Sequence, residues 1–291
     1  MKSPVPLKRY RIASGDRFRL ERIDPRDTGG IRSKSEARKR LDRGLARLGE
    51  LQPKLFAQDR WALLLIFQAM DAAGKDGTIR NVMSGINPQG CQVFSFKAPS
   101  REELDHDYLW RVNRCLPERG RIGIFNRSYY EEVLVVRVHP ELLARQNLPQ
   151  RLVGKEIWKQ RFEDINAYER YLGRNGVLLR KFFLHVSPEE QKKRFLSRLD
   201  EPEKNWKFRA EDVRERRHWR AYRKAYEEMI RSTATQQAPW HVVPADHKWF
   251  TRLVVAEVVV EALESLDLRF PKMDKRQRAE LVAAHRELLA E

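Results

Sequence analysis

The stretch LLLIFQAMDAAGKDGT, residues 63–78, joins an apolar run to a Gly-Lys pair. From Trp61 to Phe67 the chain is continuously apolar and bounded by turn signals, the mark of a parallel strand buried on both faces. Residues 69–76 approximate G-x-x-x-x-G-K-[ST], a loop that wraps phosphates between a strand and a helix. Ala69 takes the place of the first glycine, Gly74 and Lys75 stand as expected, and Asp76 replaces the hydroxyl residue. A bare strand-to-helix turn with a chance Gly-Lys is the competing reading; the buried strand before it and the helix start after it favour the phosphate loop. Backbone N–H groups of residues 72–77 then cradle phosphates at a helix N-terminus, and the phosphate-binding set is Ala72, Ala73, Gly74, Lys75, Asp76, Gly77 and Thr78.

Two carboxylates in a loop for polyanions need a reason. Without a cation, Asp71 would repel phosphates; with one between them it becomes a ligand or an outer-shell acceptor. Mg²⁺ suits this, because it takes oxygen ligands and keeps several waters. A cap or turn role is the plainer alternative for Asp71. Asp76 falls in the first helical turn, where the helix dipole favours an acid anyway, and is read as structural and solvent-facing.

Outward from the loop, short apolar runs recur at 91–98, 121–126, 177–186 and 240–245, with helix-like segments between them. This alternation argues for an α/β fold with a mostly parallel sheet. Leu41, Leu45, Leu48, Leu51 and Leu55 mark an amphipathic helix over 35–57, and Ile157, Phe162, Ile165, Tyr168 and Leu172 mark another over 155–172. The segment from Ser100 reads as a helix with a Ser cap, and Ser187-Pro188 opens a further one. The first 30 residues read as a polar, turn-rich arm. The expected division is an arm and helix over 1–57, a phosphotransferase domain over 58–270 with a lid at about 200–230, and a charged helical tail over 271–291.

The strand at 121–126 ends in NRSYYEE, so Asn126, Arg127, Glu131 and Glu132 are expected near the loop, beyond the carboxyl ends of the strands. Arg127 bridges phosphates with its planar fork. Many phosphate-loop kinases place an acid at this strand end; Asn126 offers only a neutral oxygen. Asn-Arg-Ser as a helix-capping turn is the plain alternative. Residues 203–230 read as a long helix with Lys204, Lys207 and Arg209 at its front and Trp219, Tyr222, Tyr226 and Met229 on its packing face. Cations at a helix start are electrostatically wrong unless an anion docks there, which suggests a lid closing on phosphates; an ordinary solvated face is the alternative.

Lys and Arg number 58 against 41 Asp and Glu, a net charge of +17 that calls for an anionic partner: nucleic acid, an acidic membrane or a phosphate-rich substrate. Cys91 and Cys115 form neither a disulfide framework nor a metal spacing and suit a reducing compartment. No run has signal-peptide or membrane-spanning length, so a cytoplasmic location without membrane partners is expected.

Together MDAAGKDGTI, NPQGCQVFSFKAPS, DYLWR, GIFNRSYYEEVLVVRVHP, KFFLHVS and EKNWKFR resemble the polyphosphate kinase 2 family, over about residues 20–265. Asn126, where other branches carry Asp in FDRSWY, resembles the class III branch, associated with phosphorylating AMP and ADP from polyphosphate. The resemblance implies a P-loop kinase-like three-layer core with a helical lid, Mg²⁺ dependence, and a dimer or tetramer. It makes Asp71 the metal-linked acid and Lys75 the phosphate lysine, with Asn126 and Arg127 as the second catalytic motif. Lys204, Lys207, Arg209 and Asp212 fall in the lid, Asp212 as a second metal-linked acid, and Glu131 lies near the acceptor nucleotide. The implied partners are inorganic polyphosphate, AMP, ADP and ATP. The rivals are an ATP-dependent kinase on a nucleotide or small metabolite and a non-enzymatic nucleic-acid binder. The second leaves the strand–loop–helix context unexplained, and no nucleic-acid-binding module is recognised.

Overall fold

In the computed structural model, which describes residues 5–291 apart from the side chain of Lys207, helix and strand alternate along the chain. Helix α1 (Leu7–Tyr10) and strand β1 (Arg11–Ile12) precede α2 (Lys34–Gln58), β2 (Ala62–Ala69) and α3 (Lys75–Val82). Then come β3 (Cys91–Ser95), α4 (Arg101–Leu104), α5 (Trp110–Asn113), β4 (Ile122–Asn126), α6 (Glu131–Val138), α7 (Ile157–Arg174), β5 (Val177–His185) and α8 (Pro188–Asp200). The chain closes with α9 (Ala210–Glu215), α10 (Trp219–Thr233), β6 (Trp240–Pro244), α11 (Lys248–Glu264) and α12 (Lys275–Ala290).

The six strands form one sheet in the order β1-β6-β5-β2-β4-β3. Every pairing is parallel except that of β1 with β6. Strand β2 sits at the centre with all of its residues buried, as its unbroken apolar run requires. Its register sets Phe67 opposite Asn126 on β4 and Ala69 opposite Leu184 on β5. The loop after β2 therefore emerges between the ends of its two neighbours. Helices α2, α3 and α11 pack together on one face and α6, α7 and α10 on the other. The mostly parallel three-layer fold is as the sequence implies.

Local chemistry explains the helix ends. The Ser33 hydroxyl accepts from the Glu36 N–H at 3.1 Å to start α2, and Ser187 does the same for Glu190 at 3.1 Å to start α8, with Pro188 at the first helical position. Helix α11 is apolar nearly all round because it lies between α2 and the sheet.

Three expectations need correction. The N-terminal arm is not a polar appendage: Val5, Leu7, Tyr10, Phe18 and Leu20 join the core, and β1 extends the sheet beyond β6. The segment after Ser100 is two short helices rather than one, because the Asp107 carboxylate accepts the Leu109 N–H at 2.8 Å and turns the chain. The 203–230 segment is not one long helix either. A 3₁₀ turn, Pro202–Lys207, is followed by extended Phe208, α9, a second 3₁₀ turn at Arg216–His218 and only then α10.

Two polar clusters fix the working end of this scaffold. On β5, Lys181 is wholly buried and donates to Glu169 Oε2 at 2.6 Å, to the Tyr130 hydroxyl at 2.9 Å and to the Thr233 carbonyl at 2.8 Å. Glu169 Oε1 accepts the hydroxyls of Tyr129 at 2.8 Å and Tyr130 at 2.6 Å. Burial presses the Lys181 pKa downward while Glu169 opposes it. The cluster ties α7, β5 and α10 to the turn that follows Arg127.

The second cluster is Arg194 on α8. Its Nη1 donates to the carbonyls of Ala72 at 3.0 Å and Ala73 at 2.8 Å, and its Nη2 to those of Ala245 at 2.6 Å and Asp246 at 3.0 Å. Its Nε donates to Glu190 at 2.8 Å. All five N–H groups of a guanidinium are thereby used, joining the loop after β2 to the loop after β6.

Replacing Lys181 with Met leaves Glu169 buried and unpaired, and is expected to lower unfolding free energy by about 3–5 kcal/mol in urea titration. Adding Glu169→Gln, which keeps an acceptor for both tyrosines, should recover roughly half of that loss. Arg194→Met should cost about 2–4 kcal/mol and accelerate amide hydrogen exchange selectively in residues 72–77.

Candidate active site

Beyond Ala69 the chain turns through two left-handed residues, Ala72 at φ +60° and Gly74 at φ +102°. Glycine adopts that conformation freely, whereas Ala72 carries a steric penalty that its bond from Arg194 helps to hold. Helix α3 begins at Lys75, and no side chain caps its start. Its first N–H groups thus keep the anion-binding capacity of a helix N-terminus.

Lys75 Nζ folds back to donate to the Ala69 carbonyl at 3.1 Å. Burial and then Arg127 lower its pKa, against the pull of Asp71, Glu131 and Asp76. Among the described residues no carboxylate lies within ion-pair distance of it, so the ammonium is available to a phosphate.

Arg127 stands at φ +65°, its N–H donating to the Phe67 carbonyl at 3.0 Å. A non-glycine residue held in the left-handed region is a strained position of the sort that functional sites retain. Its Nη2 donates to Asp71 Oδ1 at 3.0 Å, and Nη1 lies 3.9 Å from Glu131 Oε2. Burial raises the Glu131 pKa, with Arg127 and Lys75 opposing.

Asn126 uses its amide rather than its oxygen: Nδ2 donates to Asp76 Oδ1 at 2.7 Å. The acid in the first turn of α3 is thus paired across the site with the residue that ends β4. The two acids of the loop have separate partners, Asp71 with Arg127 and Asp76 with Asn126.

The structure brings Asp71, Lys75, Asp76, Asn126, Arg127 and Glu131 together at the strand ends. Glu132 is excluded, correcting the expectation that it gathers here. One residue further round α6, it accepts from Arg161 at 3.1 Å and Gln146 at 2.7 Å. In the lid segment, Asp212 Oδ2 accepts from Arg198 at 3.2 Å, and its pKa is raised by burial and then by Asp71. Lys204 turns to Glu201 and to the Ser197 hydroxyl, at the end of α8. Arg209 precedes α9, exposed; the Lys207 side chain lies outside those described.

Three positioning residues escape a reading of motifs. Arg194 is one. Gln191 Nε2 donates to the Asp71 carbonyl at 3.0 Å, and Arg216 Nη1 donates to Gln191 Oε1 at 2.6 Å. This relay connects the lid segment to the phosphate loop. In sequence, Glu190 and Arg194 look like an ordinary i,i+4 surface pair.

Among the described residues no group of three or more His, Cys, Asp and Glu is placed around a single metal position. A cation that takes only one or two carboxylates and fills its shell with water and phosphate oxygens needs no such group. Asp71 and Asp212 fit that donor set, Asp71 standing near enough to push the Asp212 pKa up.

The family model of polyphosphate kinase 2 matches residues 31–271. Over 286 residues the chain is 50% identical to the ADP-polyphosphate phosphotransferase of Rhodopseudomonas palustris, covering 98% of this chain and 99% of that one. It is 45% identical over 270 residues to the AMP/ADP-polyphosphate phosphotransferase of Meiothermus ruber, covering 91% and 96%. The crystal structure of polyphosphate kinase 2 from Arthrobacter aurescens matches with a TM-score of 0.87 at 40% identity, over 96% of this chain and 97% of that chain. With its phosphate loop, strand ends and lid segment all inside the matched region, the chain belongs to the polyphosphate kinase 2 family.

Proposed function

We propose that the enzyme transfers the terminal phosphoryl group of inorganic polyphosphate to AMP, giving ADP, and to ADP, giving ATP. The observation that carries the reading is the convergence of an unpaired Lys75, the Arg127 fork and an uncapped helix start at the strand ends.

An oxygen of the acceptor's terminal phosphate attacks the last phosphorus of the chain. The new P–O bond forms as the bond to the bridging oxygen breaks, and that oxygen stays with the shortened polyphosphate. The attacking oxygen is already anionic, so no strong general base is needed. Catalysis consists of alignment and charge stabilisation. Lys75 and the N–H groups of the loop hold the donor. Arg127, kept in place by Asp71 and Glu131, spans donor and acceptor oxygens, and Glu131 borders the acceptor side. Lys204, Lys207 and Arg209 add charge from the lid. Mg²⁺, held by Asp71 and Asp212, supplies further positive charge to the phosphoryl oxygens.

Asp76 gains a role in this scheme. Because Asn126 is neutral, the carboxylate expected at the end of β4 comes from the other side of their hydrogen bond. Asp76 provides the negative charge and Asn126 orients it.

A homo-oligomer, dimer or tetramer, and a cytoplasmic location complete the reading. Exposed Phe270, Met273, Leu281 and Leu288 along the C-terminal segment support assembly. Cys91 and Cys115 are both free, and no described helix is long and apolar enough to cross a membrane.

The deciding experiment supplies Mg²⁺, long-chain polyphosphate and AMP and follows nucleotides by chromatography. ADP first and ATP after it is the expected outcome; ADP formed alone would remove the second transfer. Phosphorylation supported by ATP and not by polyphosphate would point to an ATP-dependent kinase instead. Lys75→Ala should reduce turnover by about a hundredfold or more with thermal stability retained. Asp76→Asn should lower kcat/KM by about tenfold, and the exchanged pair Asp76→Asn with Asn126→Asp should regain most of it. A single Asp76→Asn variant with normal kinetics would remove Asp76 from the scheme.

A further inference from the structure

Three helices point their N-termini at the same end of the sheet. Gly44 of α2 lies against Ala256 of α11, a Cβ there standing 3.9 Å away, and Arg47 reaches Glu264 at 2.8 Å, so the two helices run parallel. Helix α3 lies beside both, with Gly85 just beyond it packed on Leu45 of α2. Their positive ends therefore add rather than cancel.

Cations are concentrated where these ends meet. Arg252, one turn into α11, lies over the first turn of α3: a side chain at Gly77 would begin 3.9 Å from its Nη2. Arg80 on α3 and Arg38 on α2 are close enough that, after burial, they are what holds the Arg252 pKa down. Lys248, the first residue of α11, is likewise lowered by burial and then by Arg194, with Lys204 and Arg252 adding to it and only Glu190 opposing. Glu190 is itself bonded to Arg194 at 2.8 Å, and Arg38 is paired with Asp42 at 2.8 Å. Among the described residues Arg80, Lys248 and Arg252 have no carboxylate within ion-pair distance, and the first turn of α11 contains no acid. Unpaired like charges at three helix starts repel one another, and an anion lying among them removes that repulsion.

Topology gives this patch a direction. Asn126, Arg127 and Glu131 stand on the β4 side of the phosphate loop, whereas α11 follows β6, beyond β5 on the other side. A donor whose reacting end faces Arg127 has its remaining phosphates leaving across the loop towards α11.

We infer that Arg80, Lys248 and Arg252 form a track for the trailing phosphates of a long polyphosphate donor, separate from the groups around the transferred phosphate. The inference rests on the polyphosphate reading above. It makes chain length a property read outside the reaction centre: a donor of three phosphates is spent on the loop, while a long one also occupies the track.

The test compares long-chain polyphosphate with tripolyphosphate as donors to ADP, in the wild type, in Arg80→Gln/Arg252→Gln and in Arg80→Lys/Arg252→Lys. The ratio of kcat/KM for the long donor over the short one should fall about tenfold in the Gln pair and be largely kept in the Lys pair. The salt dependence of KM for the long donor should flatten by about one unit of slope per arginine removed. An unchanged ratio in the Gln pair, whether both donors slow together or neither does, overturns the track. So does an equal fall in the Lys pair, which would mean packing rather than charge. If the wild type uses neither polyphosphate but does use ATP, the donor assignment itself fails. The track is then judged by direct binding of long-chain polyphosphate without acceptor, and equal affinity of wild type and Gln pair overturns it.

Discussion

One guanidinium holds the working end of this molecule together. Arg194 directs all its N–H groups at Glu190 and at four backbone carbonyls, two on the loop after β2 and two on the loop after β6. Those carbonyls would otherwise face a site built for anions, where their dipoles are of the wrong sign. By turning them towards itself, Arg194 leaves the N–H side of the loop facing the substrate. The left-handed Ala72, the uncapped start of α3 and the approach of α11 all depend on this arrangement. Gln191, one turn earlier on α8, extends it to Arg216 and so to the lid segment.

The site also resolves a conflict that any polyanion-binding centre faces. Positive groups must be dense, yet they must hold a defined geometry before the ligand arrives. Here carboxylates serve as placeholders. Asp71 fixes the Arg127 fork and Asp76 fixes the Asn126 amide. Each pair is partly exposed, so the attraction is screened and yields readily to a stronger anion. Lys75 is held by a neutral carbonyl, and no ion pair has to break before it meets a phosphate.

Much of the architecture is legible in the sequence because parallel strands buried on both faces leave unbroken apolar runs, and because Ser187-Pro188 and Ser33 announce helix starts. The arm hides its role for the opposite reason: Leu7, Tyr10, Phe18 and Leu20 are single apolar residues among basic ones, and only tertiary packing reveals them as core. The front of the 203–230 segment lacks the periodicity that marks α10 from Trp219 onward, and the extended backbone at Phe208 breaks it there. Within the site, Asp71, Lys75, Asn126 and Arg127 can be found because each belongs to a local motif. Arg194 and Gln191 cannot, since their partners are main-chain carbonyls that carry no residue signature. Glu131 and Glu132 are neighbours in sequence, but one helical step of rotation sends the second to Arg161.

The buried Lys181–Glu169 contact bears on how the family can diverge. Lys181 lies on a central strand, Glu169 on α7, and both reach the tyrosines that follow Arg127. A single replacement at either position strands a charge in the interior, so drift there cannot proceed one residue at a time. The aromatic pair behind the catalytic arginine is thereby locked to two distant elements, and this part of the scaffold can be exchanged only as a unit.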